Sequence, residues 1–235
     1  MAIRRTKKRN KGQVFMLQNT NLIHMVIKRV LSLCALLTLS IALGLSENAI
    51  AADEAADAFI KRLSIELQDL VKNDPSLRAG DLQKTSAVVD TKIMPHLNFQ
   101  RMTASAVGPA WRTATPEQQA KLIQEFKLLL IRTYAGALSQ VSDLTINVKP
   151  LRGSLDDNEV LVRSEIKGKG EAIQLDYRLE RTSGNGSGWK IYNLNVLGVW
   201  LVETYRSQFS QEINAHGLDG LINTLVERNK ANAKK

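Results

Sequence analysis

The chain has 235 residues, 44% hydrophobic and 23% charged, which is enough for one globular domain with a real core plus extra segments. Its net charge of +9 suggests nucleic acid until it is located: residues 1–51 hold 8 Lys and Arg and one acid, and the remainder carries 24 against 22, a balance of only +2. With no basic cluster after residue 51, the composition argues against a surface for phosphate backbones and no nucleic-acid partner is expected.

Lys28 and Arg29 precede a mostly apolar run, residues 30–45, and then Ala49-Ile50-Ala51, a small-residue cleavage pattern. The run is shorter than the roughly 20 residues of a spanning helix. Residues 1–51 therefore read as a secretory signal peptide with an extended basic n-region at residues 4–11, and Met25 offers a second possible start. Cys34, the single cysteine, follows Leu33 inside the apolar run, which does not suit lipidation. Cleavage leaves residues 52–235 as one cysteine-free domain, compatible with an oxidising compartment and devoid of thiol chemistry.

Phe59, Ile60, Leu63, Leu67, Leu70 and Val71 recur at helical spacing and predict a first amphipathic helix, ended by a loop at Asp74-Pro75. Leu82, Val89 and Ile93 mark a thinner second helix, stopped by Pro95. Asn98 can cap a third, carrying Phe99, Met102 and Val107, with Gly108 placed to end it. The fourth is the best specified. Thr115 is its N-cap, Pro116 fits its first position, and Gln118 completes a Thr-x-x-Gln capping box. Its stripe of Leu122, Phe126, Leu129, Leu130, Tyr134, Ala137 and Leu138 needs a large apolar partner, and the sheet that follows is the expected one, with this helix as its lid.

After Ser139 the period changes from helical to alternating. Leu144, Ile146 and Val148, then Val160, Val162 and Ile166, then Ile173, Leu175, Tyr177 and Leu179 define three strands with one apolar face each. Short Gly-, Asp- and Asn-rich links make them an antiparallel meander. A fourth strand, residues 189–196, is apolar on both sides and so is central or covered twice. From Val199 the helical period returns through Val202, Tyr205, Phe209 and Ile213 and breaks at Gly217. A last short helix carries Leu218, Leu221, Ile222 and Leu225, and residues 230–235 are expected to fray. The pattern predicts an α+β fold with a four-stranded antiparallel sheet packed against about six helices.

No catalytic set stands out. His96 and His216 lie in no HExxH pattern or other metal-ligand spacing, so they read as structural or exposed and no metal site is expected. Ser187 lacks the glycine two residues before it that a nucleophile elbow requires. The glycine-rich run at residues 184–188 joins strand to strand and opens no helix, so it reads as a hairpin tip rather than a phosphate cradle. Asp156-Asp157 belong to a turn, and Asp176 and Glu180 alternate with apolar residues and are expected as surface charges.

Five ordered motifs add a further constraint. They are Pro95-His96-Leu97-Asn98-Phe99 with Met102-Thr103; Trp111-Arg112 with Thr115-Pro116-Glu117-Gln118; Arg132-Thr133-Tyr134-Ala135; Trp189-Lys190-Ile191-Tyr192; and Gly198-Val199-Trp200-Leu201-Val202 with Tyr205-Arg206. Together, over most of residues 53–228, they resemble the MlaC family of periplasmic phospholipid-binding proteins, also described as toluene-tolerance auxiliary proteins. Asn98 and Asn193 stand where that pattern usually has Asp, and Trp200 where it has a small residue, which bears on cavity volume.

The resemblance implies an α+β carrier that encloses an apolar cavity between sheet and helices, takes acyl tails into it and leaves the headgroup outside. It implies phospholipid as cargo, no cofactor and no catalysis. Its implied partners are an inner-membrane ABC transporter complex with an MCE-type subunit and an outer-membrane lipoprotein complex. The implied role is that of a periplasmic monomer maintaining outer-membrane lipid asymmetry. On the helices, Phe99, Met102, Val107, Trp111, Phe126, Leu130, Tyr134, Tyr205 and Phe209 are then expected to line the cavity, and from the sheet and its exit Val162, Ile173, Leu175, Tyr177, Val196 and Trp200. Two other readings remain beside the carrier: an enzyme of the ketosteroid-isomerase kind, which needs an acid inside the cavity, and a non-carrying adaptor or chaperone with a filled core. For the leader, the expected outcome is a mature chain beginning at Ala52. N-terminal sequencing of exported protein checks this, and a chain starting before Val30 would restore a membrane anchor.

Overall fold

The computed structural model describes residues 54–139, 141–152, 157–168, 172–183 and 187–232, so the leader and its expected cleavage site lie outside the described residues. Helix α1 (Ala56–Asn73) buries Phe59, Ile60 and Leu63 from the stripe expected of it. The expected loop after it is instead a single helical turn, α2 (Pro75–Arg78). Asp74 Oδ1 accepts from the N–H groups of Ser76 (2.9 Å) and Leu77 (3.3 Å), and Pro75 stands where its missing N–H costs nothing. Helix α3 (Leu82–Val88) is capped by Asp81 and runs on into a π turn (Val89–Ile93) and a 3₁₀ turn (Met94–His96). The expected second helix is therefore present, but rewound over its last two turns.

Helix α4 (Phe99–Val107) starts at Asn98, whose Oδ1 accepts from Arg101 N–H (3.0 Å), and ends at Gly108, φ +75°. Helix α5 (Pro116–Ser139) has the reciprocal bonds of a capping box: Gln118 N–H to Thr115 Oγ1 at 3.2 Å and Thr115 N–H to Gln118 Oε1 at 3.0 Å. The strands β1 (Thr145–Val148), β2 (Glu159–Lys167), β3 (Ile173–Arg181), β4 (Trp189–Val196) and β5 (Val199–Trp200) form an antiparallel meander in sequence order. There are five strands among the described residues where four were expected, because Val199 and Trp200 fold back onto Val196 and Asn195 before the last helix begins. At its other end β4 is covered by Leu97-Asn98, with Asn98 N–H donating to Ile191 O at 2.8 Å, which makes β4 the covered strand its composition suggested.

Helix α6 (Leu201–Asn232) is broken at Gly217 (φ +71°, ψ −174°), as the sequence indicates. Its end does not fray at Lys230. Asn229 is buried, and its Nδ2 donates to Glu125 O (3.0 Å) and Glu125 Oε2 (2.7 Å), which holds the helix to α5 through Asn232.

Among the described residues there are three apolar clusters, two large ones and a small one of Val71, Leu77 and Val88. In one large cluster, α1 covers the sheet, and Phe59, Ile60 and Leu63 pack on Val160, Val162, Tyr177, Leu179, Trp189 and Ile191. In the other, Leu122, Phe126 and Leu129 of α5 meet Phe99 and Met102 of α4 and Tyr205, Phe209, Leu221 and Leu225 of α6. The lid expected of α5 thus belongs to α1, while α5 packs mainly on other helices.

The far side of β3 and β4 is partly covered, which corrects the expectation for Asp176 and Glu180. Glu180 accepts from Asn98 Nδ2 (2.5 Å) and from Arg101, whose guanidinium also reaches Glu159 (2.7 Å) and lies 3.6 Å from the centre of the Tyr192 ring. Asp176 is only 4% exposed; its Oδ2 accepts from Gln174 (2.6 Å) and its Oδ1 has no hydrogen-bond partner. Asn193 binds the start of α6, its Oδ1 accepting from Val202 N–H (3.2 Å) and its Nδ2 donating to Glu203 (2.7 Å). Asn98 and Asn193 therefore keep the acceptor role that an aspartate would fill at each helix start.

Phe126 is the centre of the helical cluster, with the rings of Tyr205, Phe209 and Phe99 at 4.9, 5.3 and 5.6 Å. Phe126→Ala is expected to cost about 3–5 kcal/mol, measured as a lowered urea midpoint at unchanged slope.

Candidate functional site

The two large clusters share Leu97, but over part of their extent their apolar surfaces do not close on one another. They leave a cavity of about 460 Å³, within the range of roughly 300–1,000 Å³ usual for ligand sites. Its sheet wall is Ile166, Ile173, Leu175, Tyr177, Ile191, Leu194 and Val196; Leu201 closes it beside β5. Period-2 alternation puts Ile173, Leu175 and Tyr177 on one face, with Leu175 paired to Val196 and Tyr177 to Leu194, and the register shift at Arg178/Leu179 brings Ile191, three residues from Leu194, onto that face as well. The facing wall is Leu130, Ile131, Tyr134, Ala135 and Leu138 of α5 with Phe99 and Met102 of α4. Ile60, Leu63 and Leu67 of α1 and Val89, Ile93 and Met94 of the rewound segment complete it. Tyr134 and Ile173 are 37% and 38% exposed and mark the open end.

Polar atoms in these walls are largely engaged with the protein. Ser64 Oγ donates to Ile60 O (2.7 Å), and Lys127, the one charged residue of the described lining, pairs with Asp90 on the π turn (2.6 Å). That pair ties α5 to the rewound segment. No carboxylate or histidine is among the described lining residues, whereas acid–base work on a bound ligand needs such a group within hydrogen-bond reach. His96 lies edge-on to Phe59, 5.4 Å between ring centres, and burial, with Arg62 nearby, holds its pKa below the ordinary value. His216 sits beside Glu212 (2.8 Å) at the break in α6. What this arrangement can do chemically is exclude water from a long apolar group.

Of the residues expected to line the cavity, Phe99, Met102, Leu130, Tyr134, Ile173, Leu175, Tyr177 and Val196 do so. The other seven lie elsewhere. Val107, Phe126, Tyr205 and Phe209 fill the helical cluster, with Trp111 packed at its edge, and Val162, fully buried, lies in the cluster under α1. Trp200 is on the other side of the sheet, with the Arg178 guanidinium 3.9 Å from its ring centre, so its bulk takes nothing from the cavity. Periodicity identifies an apolar face but not which part of it is packed: Phe126 and Leu130 are one helical turn apart, one in a core and the other at a void. Among the lining residues missed, Ile60, Leu63 and Leu67 carried a signal in the stripe of α1. Val89 and Ile93 carried one as the thin apolar face of the second helix, but a π turn changes which side chains share a face, and Met94 carried none.

Such a fold and site define an α+β binding protein with an internal apolar cavity open at one end. The chain belongs to the MlaC protein family, whose model matches residues 61–227. A Haemophilus influenzae protein described as an intermembrane phospholipid transport system binding protein, MlaC, is 24% identical over 175 residues, covering 74% of this chain and 78% of that one. The toluene tolerance protein ttg2D of Pseudomonas putida is 30% identical over 109 residues, 46% of this chain and 49% of that one. Among solved structures, a phospholipid-binding protein from Ralstonia solanacearum in complex with a phospholipid is similar at a TM-score of 0.72 with 45% identity, covering 77% of this chain and 99% of that one. These descriptions name binding, transport and tolerance, and none names a catalysed reaction.

Tyr177 gives a pH test of the cavity wall. Burial pushes its pKa up to about 12, although its hydroxyl contacts Ser164 and Ser64, which donate their own protons to Leu175 O and Ile60 O. The folded state holds this proton more tightly than the unfolded chain, so the tyrosine's contribution is intact below pH 10 and is lost as pH rises from 10 toward 12. Tyr177→Phe is expected to shallow the alkaline fall in melting temperature over that window, and an unchanged alkaline limb would contradict the assignment.

Proposed function

We propose that this chain is an exported phospholipid carrier. The observation that supports it best is the open-ended apolar cavity at the face where β3 and β4 meet α5, in a chain 45% identical to a protein solved with phospholipid bound. Acyl tails totalling roughly 30 carbons, at about 0.8 kcal/mol per methylene, would cost more than 20 kcal/mol to bring into water. A dry cavity removes most of that cost. Because membrane interior and cavity are both apolar, transfer between them is close to balanced, and no nucleotide site is needed in the carrier itself.

In the finer form of this reading, residues 1–51 direct export and are removed, and the mature chain works in the periplasm. There it moves phospholipid between an outer-membrane lipoprotein complex and an inner-membrane ABC transporter with an MCE-type subunit, maintaining outer-membrane lipid asymmetry. Direction is then set by those partners. A filled-core adaptor is less well supported because the space is there, and a ketosteroid-isomerase-like enzyme because the walls offer it no acid among the described residues.

Leu175→Asp puts a carboxylate on the cavity wall, where opposed acyl tails cannot solvate it, and water admitted to an emptied cavity can. Asp176, being buried, and Gln174, being bonded to it, are poor controls; Thr145→Asp, exposed and opposite Lys167 on β2, is a better one. The expected outcome is a folded Leu175→Asp protein with little copurified phospholipid beside a fully loaded Thr145→Asp protein, read by circular-dichroism melting and mass spectrometry. Wild type without phospholipid, together with a Leu175→Asp chain that does not fold, would favour the adaptor instead.

A further inference from the structure

The turn joining β4 to β5 departs from what stability alone would choose, in two ways. Leu197 has φ +53° and Gly198 φ +85°, so both central residues of this two-residue hairpin are left-handed. Asn-Gly or Gly-Gly adopts that geometry readily, whereas a leucine is disfavoured there by the contact of its Cβ with the following carbonyl oxygen. Leu197 is also 64% exposed and Val199 is 51% exposed. Apart from its own chain neighbours, nothing lies within 4 Å of where Gly198 would carry a Cβ, so the turn stands in open space. An exposed asparagine would relieve both penalties.

The turn's position supplies a reason for the leucine. Val196 immediately before it and Leu201 just after the hairpin both line the cavity. Leu197 N–H donates to Gln174 O (3.0 Å), which sets the turn beside Ile173, a lining residue that is itself 38% exposed. Of the six large apolar residues exposed among the described residues, Leu197, Val199, Ile173 and Tyr134 either line the cavity or adjoin its lining. Strained backbone and exposed apolar surface therefore coincide beside an exposed part of the cavity's lining.

We propose that Leu197 and Val199, with Ile173, form an apolar lip that enters the surface of a phospholipid layer while cargo is exchanged. This rests on the carrier reading above. Three observations favour a lipid surface over a protein. The lip is continuous with the cavity, so a tail could slide from one apolar medium to the other without crossing water. Residues 196–200 carry no charge, so entry into the headgroup boundary strips no ion of its water. A few side chains are also far below the roughly 20–30 residues a side of a stable protein interface, yet enough for shallow and reversible insertion.

The test uses the mature protein and vesicles of phosphatidylethanolamine with phosphatidylglycerol, following the rate at which labelled lipid is acquired and the amount held at equilibrium. Leu197→Asn should melt at or above wild type and hold the same amount of lipid. Its rate of acquisition should fall about tenfold, the scale set by burying part of one leucine. Val199→Ser should show the same split, and the indole of Leu197→Trp should shift to the blue with vesicles and be quenched by brominated tails. Wild-type rates in both polar variants, or an indole that ignores vesicles and responds only to a protein partner, would overturn the lipid-surface lip. A wild type that copurifies with phospholipid but takes none from these vesicles would overturn the lip alone, and one that holds no phospholipid by either route would refute the carrier reading and this proposal with it.

Discussion

Helix α1 covers only part of the inner face of the sheet, and the rest of the structure follows from that shortfall. Phe59, Ile60 and Leu63 pack densely where Trp189, Ile191 and Leu179 present themselves, and Trp189 Nε1–H donates to Glu54 O (2.7 Å) to fix the entry to the helix. Toward the other end, α1 is anchored by its side: Gln68 Nε2 donates to Val141 O (3.2 Å) and Leu144 O (2.6 Å). Ile166, Ile173 and Leu175 are left facing α5 across open space. Helix α5 cannot close that gap, because its own Leu122, Phe126 and Leu129 are committed to α4 and α6.

An apolar space of this size is unstable unless something holds its walls apart. At about 24 cal/mol per Å³ of unfilled volume, a dry and empty cavity of about 460 Å³ would cost on the order of 10 kcal/mol, the scale of a whole domain's stability. Collapse is resisted by connections at several points around the walls. Arg101 and Asn98 join α4 to Glu180 on β3, Lys127 joins α5 to Asp90, and Asn229 joins the end of α6 to Glu125. An acyl chain in the space would restore the missing contacts, which makes the loaded state the well-packed one.

Much of this was legible because it is local. Thr115 to Gln118 announced the start of α5 by chemistry that needs no tertiary partner, Asn98 did the same for α4, and alternation assigned Ile173, Leu175, Tyr177 and Leu179 to a common face. What could not be read depends on partners distant in sequence. Asn229 stands next to the tail expected to fray and gives no sign of a partner, yet it is buried and donates to Glu125 on another helix. Asp176 alternates out of the apolar face of β3 and looks solvated, yet it is buried there, bonded to Gln174 and paired across the sheet with Asn195 of β4. The π turn at Val89–Ile93 and the two-residue β5 are too short for any period to show. The family resemblance supplied the idea of a cavity, but not its limits: only packing tells Leu130 from Phe126.

The walls described above also govern how finely the protein can choose. Ser64 and Lys127 direct their polar atoms at the protein's own groups, so little hydrogen-bonding capacity is turned toward an occupant. A site of this kind distinguishes guests only by shape and length, and one methylene more or less is worth about 1–3 kcal/mol. Sites that reject a wrong guest strongly do so by leaving buried polar groups unpaired, a device that needs unsatisfied donors or acceptors facing the guest. Breadth is therefore built into the cavity: chains of similar length fit alike, and any discrimination among headgroups has to be made outside it.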